Sequence, residues 1–211
     1  MVFRCSSWPV ICLFLHLEKA HGTSKSRFRD SWRSLAQITN WDKTDESNDI
    51  GAELGASGIS GPAPKVDDTL ASKAADGVTM PMEAKKGFKL TEVAQNTLIM
   101  PGGFYRGSFA VIMNQEKFDS LSAKDQKALN GVFGLPLSSM AGQVWDSIDG
   151  AGFSTTSSAS DNSINQASSL DQAEFAKMSK KIISKVLKEV SAKGVDGKAA
   201  QAFIAAEMAK L

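Results

Sequence analysis

Apolar and polar positions begin to alternate regularly from about residue 47 of this 211-residue chain. Residues 76–81, DGVTMP, and residues 96–103, NTLIMPGG, predict short strands, the first of which ends at Pro81. Residues 108–114, SFAVIMN, are almost continuously apolar, which is typical of a strand buried on both faces of a sheet. Short strands that alternate with helical patterns predict an α/β fold with a small sheet.

Helical spacing dominates the second half of the chain. Ser122 has an aspartate three residues later, a capping-box arrangement that predicts the start of a helix. The helical pattern runs to about residue 153, and we expect Pro136 to kink or split it. Residues 155–163, TTSSASDNS, then predict a polar loop, and residues 163–168, SINQAS, predict a short strand.

A second long helix is predicted after this strand. Ser169 with Gln172 forms another capping box. The helix is expected to end at Gly194, and a last helix is expected from about Asp196 to the C-terminus. In the helix that ends at Gly194, the apolar positions recur at the spacing of an amphipathic helix: Phe175, Met178, Ile182, Val186, Leu187 and Val190.

Composition narrows the class of protein. Apolar residues make up 42% of the chain and charged residues 22%, the balance of a soluble globular protein. The formal net charge is +1, so no nucleic acid or other polyelectrolyte partner is implied. The basic cluster at residues 25–33 has two interpretations, a nucleic-acid contact or a solvated linker, and we favour the linker.

The residues best suited to catalysis or metal binding all lie near the N-terminus. Cys5, Cys12, His16 and His21 are the only cysteines and histidines of the chain. Beyond residue 21 there is therefore no thiol or imidazole for a catalytic dyad, and no Cys/His metal site. We expect neither an enzyme nor a bound cofactor.

Residues 1–46 differ from the regular pattern of residues 47–211 and predict an atypical segment, with a signal-like start and a poorly ordered linker. Residues 8–17 are apolar, about as long as the hydrophobic part of a signal peptide and too short to span a bilayer. Pro9 and the charged pair at residues 18–19 fit a signal peptide poorly. We expect a periplasmic location, and a cytoplasmic one if the N-terminus is not a signal.

Four segments point, by their order and spacing, to a family. They are GPAPKVDDTLASKAADGVTMPMEAKKGFKL at residues 61–90, FYRGSFAVIMNQEKFDSLSAKDQKAL at 104–129, AGQVWD at 141–146 and GVDGKAAQAFI at 194–204. Together they resemble the solute-binding receptor of tripartite ATP-independent periplasmic (TRAP) transporters, the DctP-like family. The resemblance covers about residues 47–211, which is the C-terminal half of such a receptor, so we expect the first lobe to be missing.

The resemblance implies a fold and a function. The fold is the second lobe of a type II periplasmic-binding-protein-like receptor, with a small mixed sheet and long C-terminal helices, incomplete relative to the two-lobed family. The function is capture of a small organic acid, a carboxylate, outside the cytoplasm and its delivery to the small and large membrane subunits. The family arginine that pairs with the carboxylate has no match in residues 38–47, where Lys43 is the nearest cation. We therefore expect weak binding, or none, by this chain alone.

The resemblance also assigns candidate ligand-binding residues. By position, residues 78–83 form one wall of the ligand cleft, and the next segment adds further contacts. For the two methionines the alternative is packing in the core, for Tyr105 a rim position, and for Arg106 a solvated loop. The candidate contacts are Thr79, Met80, Met82, Phe104, Tyr105 and Arg106.

A second hypothesis places the chain in another class. The receptor fold then serves as a helical protein-interaction domain without a transport role, and the amphipathic helix at residues 175–190 is the partner surface. Processing of the N-terminus near Gly22 would favour the receptor, and an unprocessed N-terminus would favour the interaction domain.

Overall fold

The fold is given by a computed structural model, which describes residues 11–15, 37–40, 50–53, 56–104 and 109–209. Its centre is a six-stranded mixed sheet with the order β3-β2-β4-β1-β5-β6. β1 is antiparallel to both of its neighbours, and the other pairs are parallel. The strands are β1 (Ile11–Leu15), β2 (Gln37–Asn40), β3 (Ser57–Ser60), β4 (Gly77–Pro81), β5 (Asn96–Ile99) and β6 (Ser163–Gln166).

Helices follow the strands, and the longest ones lie in the second half of the chain. Residues 50–53 are helical, and Ala63–Lys65 forms a 3-10 turn. The α-helices are α1 (Val66–Ala71), α2 (Ala84–Gly87), α3 (Gln115–Asp119), α4 (Ala123–Val132), α5 (Leu135–Ser158), α6 (Ser169–Ala192) and α7 (Gly197–Met208). The α/β class with a small mixed sheet and long C-terminal helices agrees with the sequence-based expectation.

Two strands of the sheet come from the N-terminal segment that the sequence predicted as a signal-like start and a poorly ordered linker. β1 pairs with β4 from Ile11 opposite Pro81 to Leu15 opposite Gly77. β2 pairs with β3 on one side and with β4 on the other. The sheet therefore contains strands from both sides of the boundary placed between residues 46 and 47, and that boundary itself stays a prediction.

The hydrophobic core lies around β4 and the short helices next to it. Leu70, Val78 and Leu90 are fully buried in one cluster. Burying a leucine in this way contributes about 1.5–3 kcal/mol relative to leaving it exposed. The cluster consists of Val66, Leu70, Ala75, Val78, Met80, Met82, Ala84, Leu90, Ala94 and Ile99.

The predicted start of α4 and the predicted break of the helical pattern at Pro136 agree with the structure. The Ser122 hydroxyl accepts the N–H of Asp125 and caps α4. α4 ends at Val132, and α5 begins at Leu135 with Pro136 in its first turn, so the proline splits the helical pattern. Proline is tolerated there because the first N–H groups of a helix have no partner within the helix.

The predicted cap of α6 is wrong by one residue. The capping box is formed by Ser168 and Asp171 rather than by Ser169 and Gln172. The Ser168 hydroxyl accepts the N–H of Asp171, and the Asp171 carboxylate accepts the N–H of Ser168. A carboxylate binds the N-terminal N–H groups of a helix better than an amide does, because the helix dipole is positive at that end.

The predicted loop at residues 155–163 is also partly wrong, because α5 continues to Ser158. Three hydroxyl side chains at the start of this stretch and just before it donate to the carbonyl four residues earlier: Ser154 to Gly150, Thr155 to Ala151 and Thr156 to Gly152. Hydroxyls that bond back to the helix backbone satisfy their own polarity, so a polar composition does not end this helix.

The predicted buried strand at residues 108–114 is wrong for the described part of that segment. Residues 109–114 form no strand. Val111, Ile112 and Met113 are 53%, 89% and 43% exposed. An apolar run indicates burial only where another surface covers it, and the surroundings of these three side chains leave much of each exposed.

Candidate functional site

The candidate cleft wall, residues 78–83, begins inside β4 and continues into the turn before α2. In β4, Thr79 lies opposite Leu13 of β1 and Asn40 of β2, so the strand is paired on both edges. Pro81 is the last residue of the strand. A proline at this position removes one donor from the sheet hydrogen bonds, which suits a strand end.

Three of the candidate contacts lie together in this wall and are buried. Thr79, Met80 and Met82 are 3%, 1% and 2% exposed. The two methionines belong to the core cluster around Leu70 and Leu90. This placement agrees with the alternative that they pack in the core, and their contact with a ligand stays a prediction.

Phe104 lies next to a different cavity. Its ring packs edge-on against Phe175 of α6, with 5.2 Å between ring centroids and 80° between planes. A cavity of about 500 Å³ opens beside this pair, between α6 and α7. Its lining is almost entirely apolar and includes Ile182, Val186, Val190 and Ile204.

Tyr105 and Arg106, the remaining candidate contacts, lie outside the described residues. The structure therefore brings three of the six candidates together in one wall and places Phe104 at the α6–α7 cavity. The sequence did not predict that cavity, although three apolar positions of the predicted amphipathic helix, Phe175, Ile182 and Val186, form part of its lining.

The wall is joined to α5 by two close contacts that the sequence analysis missed. Asp149 Oδ1 accepts the backbone N–H of Glu83 at 2.8 Å. One turn further on, the backbone of α5 approaches the wall so closely that a Cβ on Gly152 would lie 2.1 Å from the Met82 carbonyl oxygen. We call these two contacts the joint between the wall and α5. The periodicity of the sequence does not predict it, because Glu83 and Asp149 are 66 residues apart in the sequence.

The surroundings of this joint raise the pKa of both of its carboxyl groups. Burial raises the pKa of Glu83, and the charge of Asp149 raises it further. Burial also raises the pKa of Asp149, the hydrogen bond from the Glu83 N–H lowers it, and the charge of Asp146 raises it. Carboxyl groups respond in this way when they are moved out of water and toward like charge.

Lys85, the second residue of α2, is a further feature that the sequence did not predict. It is fully buried, and its Nζ donates a hydrogen bond to the Ala94 carbonyl. A buried ammonium group requires such partners, because leaving water costs it several kcal/mol. In the sequence, the Lys-Lys pair at residues 85–86 is typical of a solvated helix face. In the structure only Lys86 is exposed, whereas Lys85 is buried.

Comparison with protein-family models decides the family. Residues 47–190 match the model of DctP, described as bacterial extracellular solute-binding protein, family 7. The chain belongs to this family. The match covers more than half of the chain and confirms the resemblance seen in the sequence. DctP-family proteins are receptors of transporters that bind small molecules and work with membrane permeases, and the chain is therefore not an enzyme.

Solved structures of TRAP solute-binding proteins show the same fold. One from Bordetella bronchiseptica, with bound (R)-mandelate and (S)-mandelate, is 27% identical and has a TM-score of 0.82 over 99% of this chain. One from Rhodoferax ferrireducens T118, in complex with copurified benzoate, is 22% identical with a TM-score of 0.80 over 95% of this chain.

The chain spans less than two thirds of the length of these solved receptors. It covers 64% of the Bordetella chain and 60% of the Rhodoferax chain. Comparison with curated proteins gave no match. Within the described residues, no helix has the length and apolar character needed to cross a membrane.

Proposed function

We propose that the chain is the extracytoplasmic receptor component of a TRAP transporter, that it binds a small carboxylate, and that it delivers this ligand to the membrane permease subunits in the periplasm. The observation that carries the proposal is the likeness to the mandelate-bound receptor over 99% of the chain. Mandelate combines an apolar ring with a carboxylate, and we take it as the first ligand to test.

The residues of the candidate wall suit the apolar part of such a ligand. Met80 and Met82 offer adaptable apolar contact, and the Thr79 hydroxyl is able to donate or accept one hydrogen bond. The nearest described carboxyl groups, Glu83 and Asp149, would repel an anion. The carboxylate therefore requires a cation from another part of the receptor, for which Arg106 remains the candidate in this chain.

Burial of the wall has a consequence for binding. Because Thr79, Met80 and Met82 are at most 3% exposed, a ligand reaches them only after neighbouring groups move apart. That movement costs free energy, so only a fraction of the molecules is open to the ligand at any time. The apparent affinity is lower than the affinity of the open form in proportion to that fraction. We therefore expect the chain alone to bind mandelate weakly.

Thermal unfolding with increasing (R)-mandelate or (S)-mandelate tests the proposal. A ligand at about twenty times its Kd stabilises the folded state by about 1.8 kcal/mol, or roughly 4–7 °C for a chain of this length. The matched control compound is 1-phenylethane-1,2-diol, which keeps the ring and replaces the carboxylate with an alcohol. Equal shifts for mandelate and the diol, or no shift with either enantiomer at saturating concentration, would contradict carboxylate binding by this chain.

Met82→Ala and Met140→Ala give a matched pair of variants for the site. Met82 lies in the candidate wall, whereas Met140 lies on α5 and is 57% exposed. If the wall binds the ligand, Met82→Ala weakens the mandelate response relative to the variant's own melting temperature, and Met140→Ala leaves it unchanged. The reverse result would place the site elsewhere.

The α6–α7 cavity supports a second candidate function, a protein-interaction domain without a transport role. Its lining is almost entirely apolar, and Phe203 and Ile204 on α7 are 66% and 54% exposed. Secretion of the chain to the periplasm with a processed N-terminus would contradict this candidate. A cytoplasmic location with an intact N-terminus would instead contradict the receptor.

A further inference from the structure

The contact between α5 and the candidate wall consists of a hydrogen bond from the Glu83 backbone to the Asp149 carboxyl group and a close backbone approach at Gly152. Asp149 Oδ1 accepts the Glu83 N–H at 2.8 Å, and both side chains are half-buried. Glu83 directly follows Met82, whose carbonyl oxygen lies against Gly152 of α5. The hydrogen bond and the backbone approach therefore fix the same two wall residues, Met82 and Glu83, to the same turn of α5.

The charged groups around this joint are mainly acidic. On α5, Asp146 lies one turn before Asp149, and its charge acts on Asp149. On α2, the buried Lys85 donates to the Ala94 carbonyl, and Lys86 is exposed. Among the described residues, neither Glu83 nor Asp149 forms an ion pair with a cation, and these carboxyl groups do not form a cluster placed to hold a metal.

We propose that Asp149 is a positioning residue for the candidate wall, and that the charge it carries in this half-buried place lowers the stability of the folded chain at neutral pH. The joint follows from the contacts alone. Its effect on ligand binding rests on the proposed function, because residues 82–83 belong to the wall only if the wall binds the ligand.

The direction of the pH effect follows from the local charges. Burial and like charge raise the pKa of both carboxyl groups above the ordinary range of about 4, so the folded state binds protons more tightly than the unfolded state. This contribution to stability is fully present below the ordinary pKa. It is lost as pH rises through the raised pKa values, when both groups become charged.

Asp149→Asn removes the charge but keeps the hydrogen bond, because the amide retains an oxygen that accepts the Glu83 N–H. The experiment measures the urea midpoint of the wild-type chain and of Asp149→Asn between about pH 4 and pH 8. We expect a higher midpoint for Asp149→Asn at neutral pH and a difference that disappears toward pH 4. The exposed Asp161 provides the matched control, since Asp161→Asn should give a difference that changes little with pH.

Hydrogen exchange at the Glu83 amide tests the positioning role directly. We expect Asp149→Ala, which has no acceptor, to speed exchange of this amide at every pH, and Asp149→Asn to restore protection. If Asp149→Ala does not fold, protection of the Glu83 amide in the wild type, at pH 5 compared with pH 8, gives the same information. Equal midpoints of the wild type and Asp149→Asn at all pH values, or exchange that does not respond to pH or to substitution, would overturn the proposal.

Mandelate titrations of the same proteins distinguish the two proposals. A pH-dependent midpoint difference without any mandelate response would leave the joint standing and count against the proposed ligand. A mandelate response in both proteins without a pH-dependent midpoint difference would support the receptor and overturn the proton-linked joint. If both proposals hold, the apparent affinities of the wild type and Asp149→Asn differ most at neutral pH and converge toward pH 4.

Discussion

The region around β4 and the region around α6 and α7 differ in how far their apolar side chains are buried. Around β4, Leu70, Val78 and Leu90 are completely buried. On α7, Phe203 and Ile204 are 66% and 54% exposed, and Ile204 lines the apolar cavity between α6 and α7. The sheet region thus covers its apolar side chains with other parts of the chain, whereas the helical region leaves many uncovered.

This difference indicates where the stability of the chain lies and where a surface is free to act. A leucine with complete burial contributes to the folded state, but an exposed phenylalanine contributes little until a partner covers it. Substitutions of the same chemical kind should therefore have large effects in the sheet region and small ones in the helical region. The following predictions test that contrast.

The largest effect is expected for Leu70→Ala, compared with Leu170→Ala on α6. Leu70 is 0% exposed and Leu170 is 60% exposed. Removing the buried side chain leaves a cavity and costs about 3–5 kcal/mol, whereas the exposed site should stay within about 0.5 kcal/mol. Urea unfolding of the two variants measures both values. Similar losses at the two positions would remove the contrast between the regions.

A slightly smaller effect is expected for Gly152→Ala, compared with Gly150→Ala on the same helix. A Cβ on Gly152 would lie 2.1 Å from the Met82 carbonyl oxygen, whereas a Cβ on Gly150 meets nothing within 4 Å. Because backbone cannot move aside as easily as a side chain, we expect a loss of about 3 kcal/mol for Gly152→Ala. Gly150→Ala should stabilise α5 by about 0.5–1 kcal/mol. Equilibrium unfolding measures both, and a stabilised Gly152→Ala would show that α5 does not lie against residues 82–83.

Gly197→Ala tests the contact between α6 and α7 and should cost less, about 1 kcal/mol. Its Cβ would lie 2.8 Å from both Leu187 Cδ2 and Val190 Cγ2, which are the ends of side chains that have room to shift toward the cavity. Thermal unfolding, with Gly131→Ala on α4 as the unobstructed control, provides the measurement. A cost above that of Gly152→Ala would mean that the helical region is packed as tightly as the sheet region.

The smallest effect on stability is expected for Ile112→Ser. Ile112 is 89% exposed, so the change should stay within about 0.5 kcal/mol. Binding of a dye that reports apolar surface should decrease, because the run at residues 110–113 loses its most exposed side chain. A large loss of stability would show that this segment is covered in solution and would place it with the sheet region.

Features set by local chemistry could be predicted from the sequence. Pro81 marks the end of β4, Ser122 caps α4, and the periodic apolar positions give α6 nearly in full. In each case the residues that decide the structure lie within a few positions of it, where caps, turns and periodicity act.

Features set by distant partners could not be predicted. Whether residues 109–113 are buried depends on a surface elsewhere, and the sequence shows only that the segment is apolar. Likewise, the sequence around Asp149 does not show whether its side chain is solvated or accepts a hydrogen bond from Glu83. The candidate wall was identified only through the resemblance, and no property of Thr79 or Met80 alone separates a ligand contact from a core residue.

The place of β1 in the sheet has a consequence for how the chain folds. In the described sheet, β1 lies between β4 and β5 and is the strand that joins the group β3-β2-β4 to the pair β5-β6. During synthesis, residues 11–15, ICLFL, leave the ribosome long before residues 77–81 and 96–99, with which they pair. Their pairing is therefore expected late, since contacts between distant parts of a chain form slowly. Until then this apolar pentapeptide is available to chaperones and to other nascent chains.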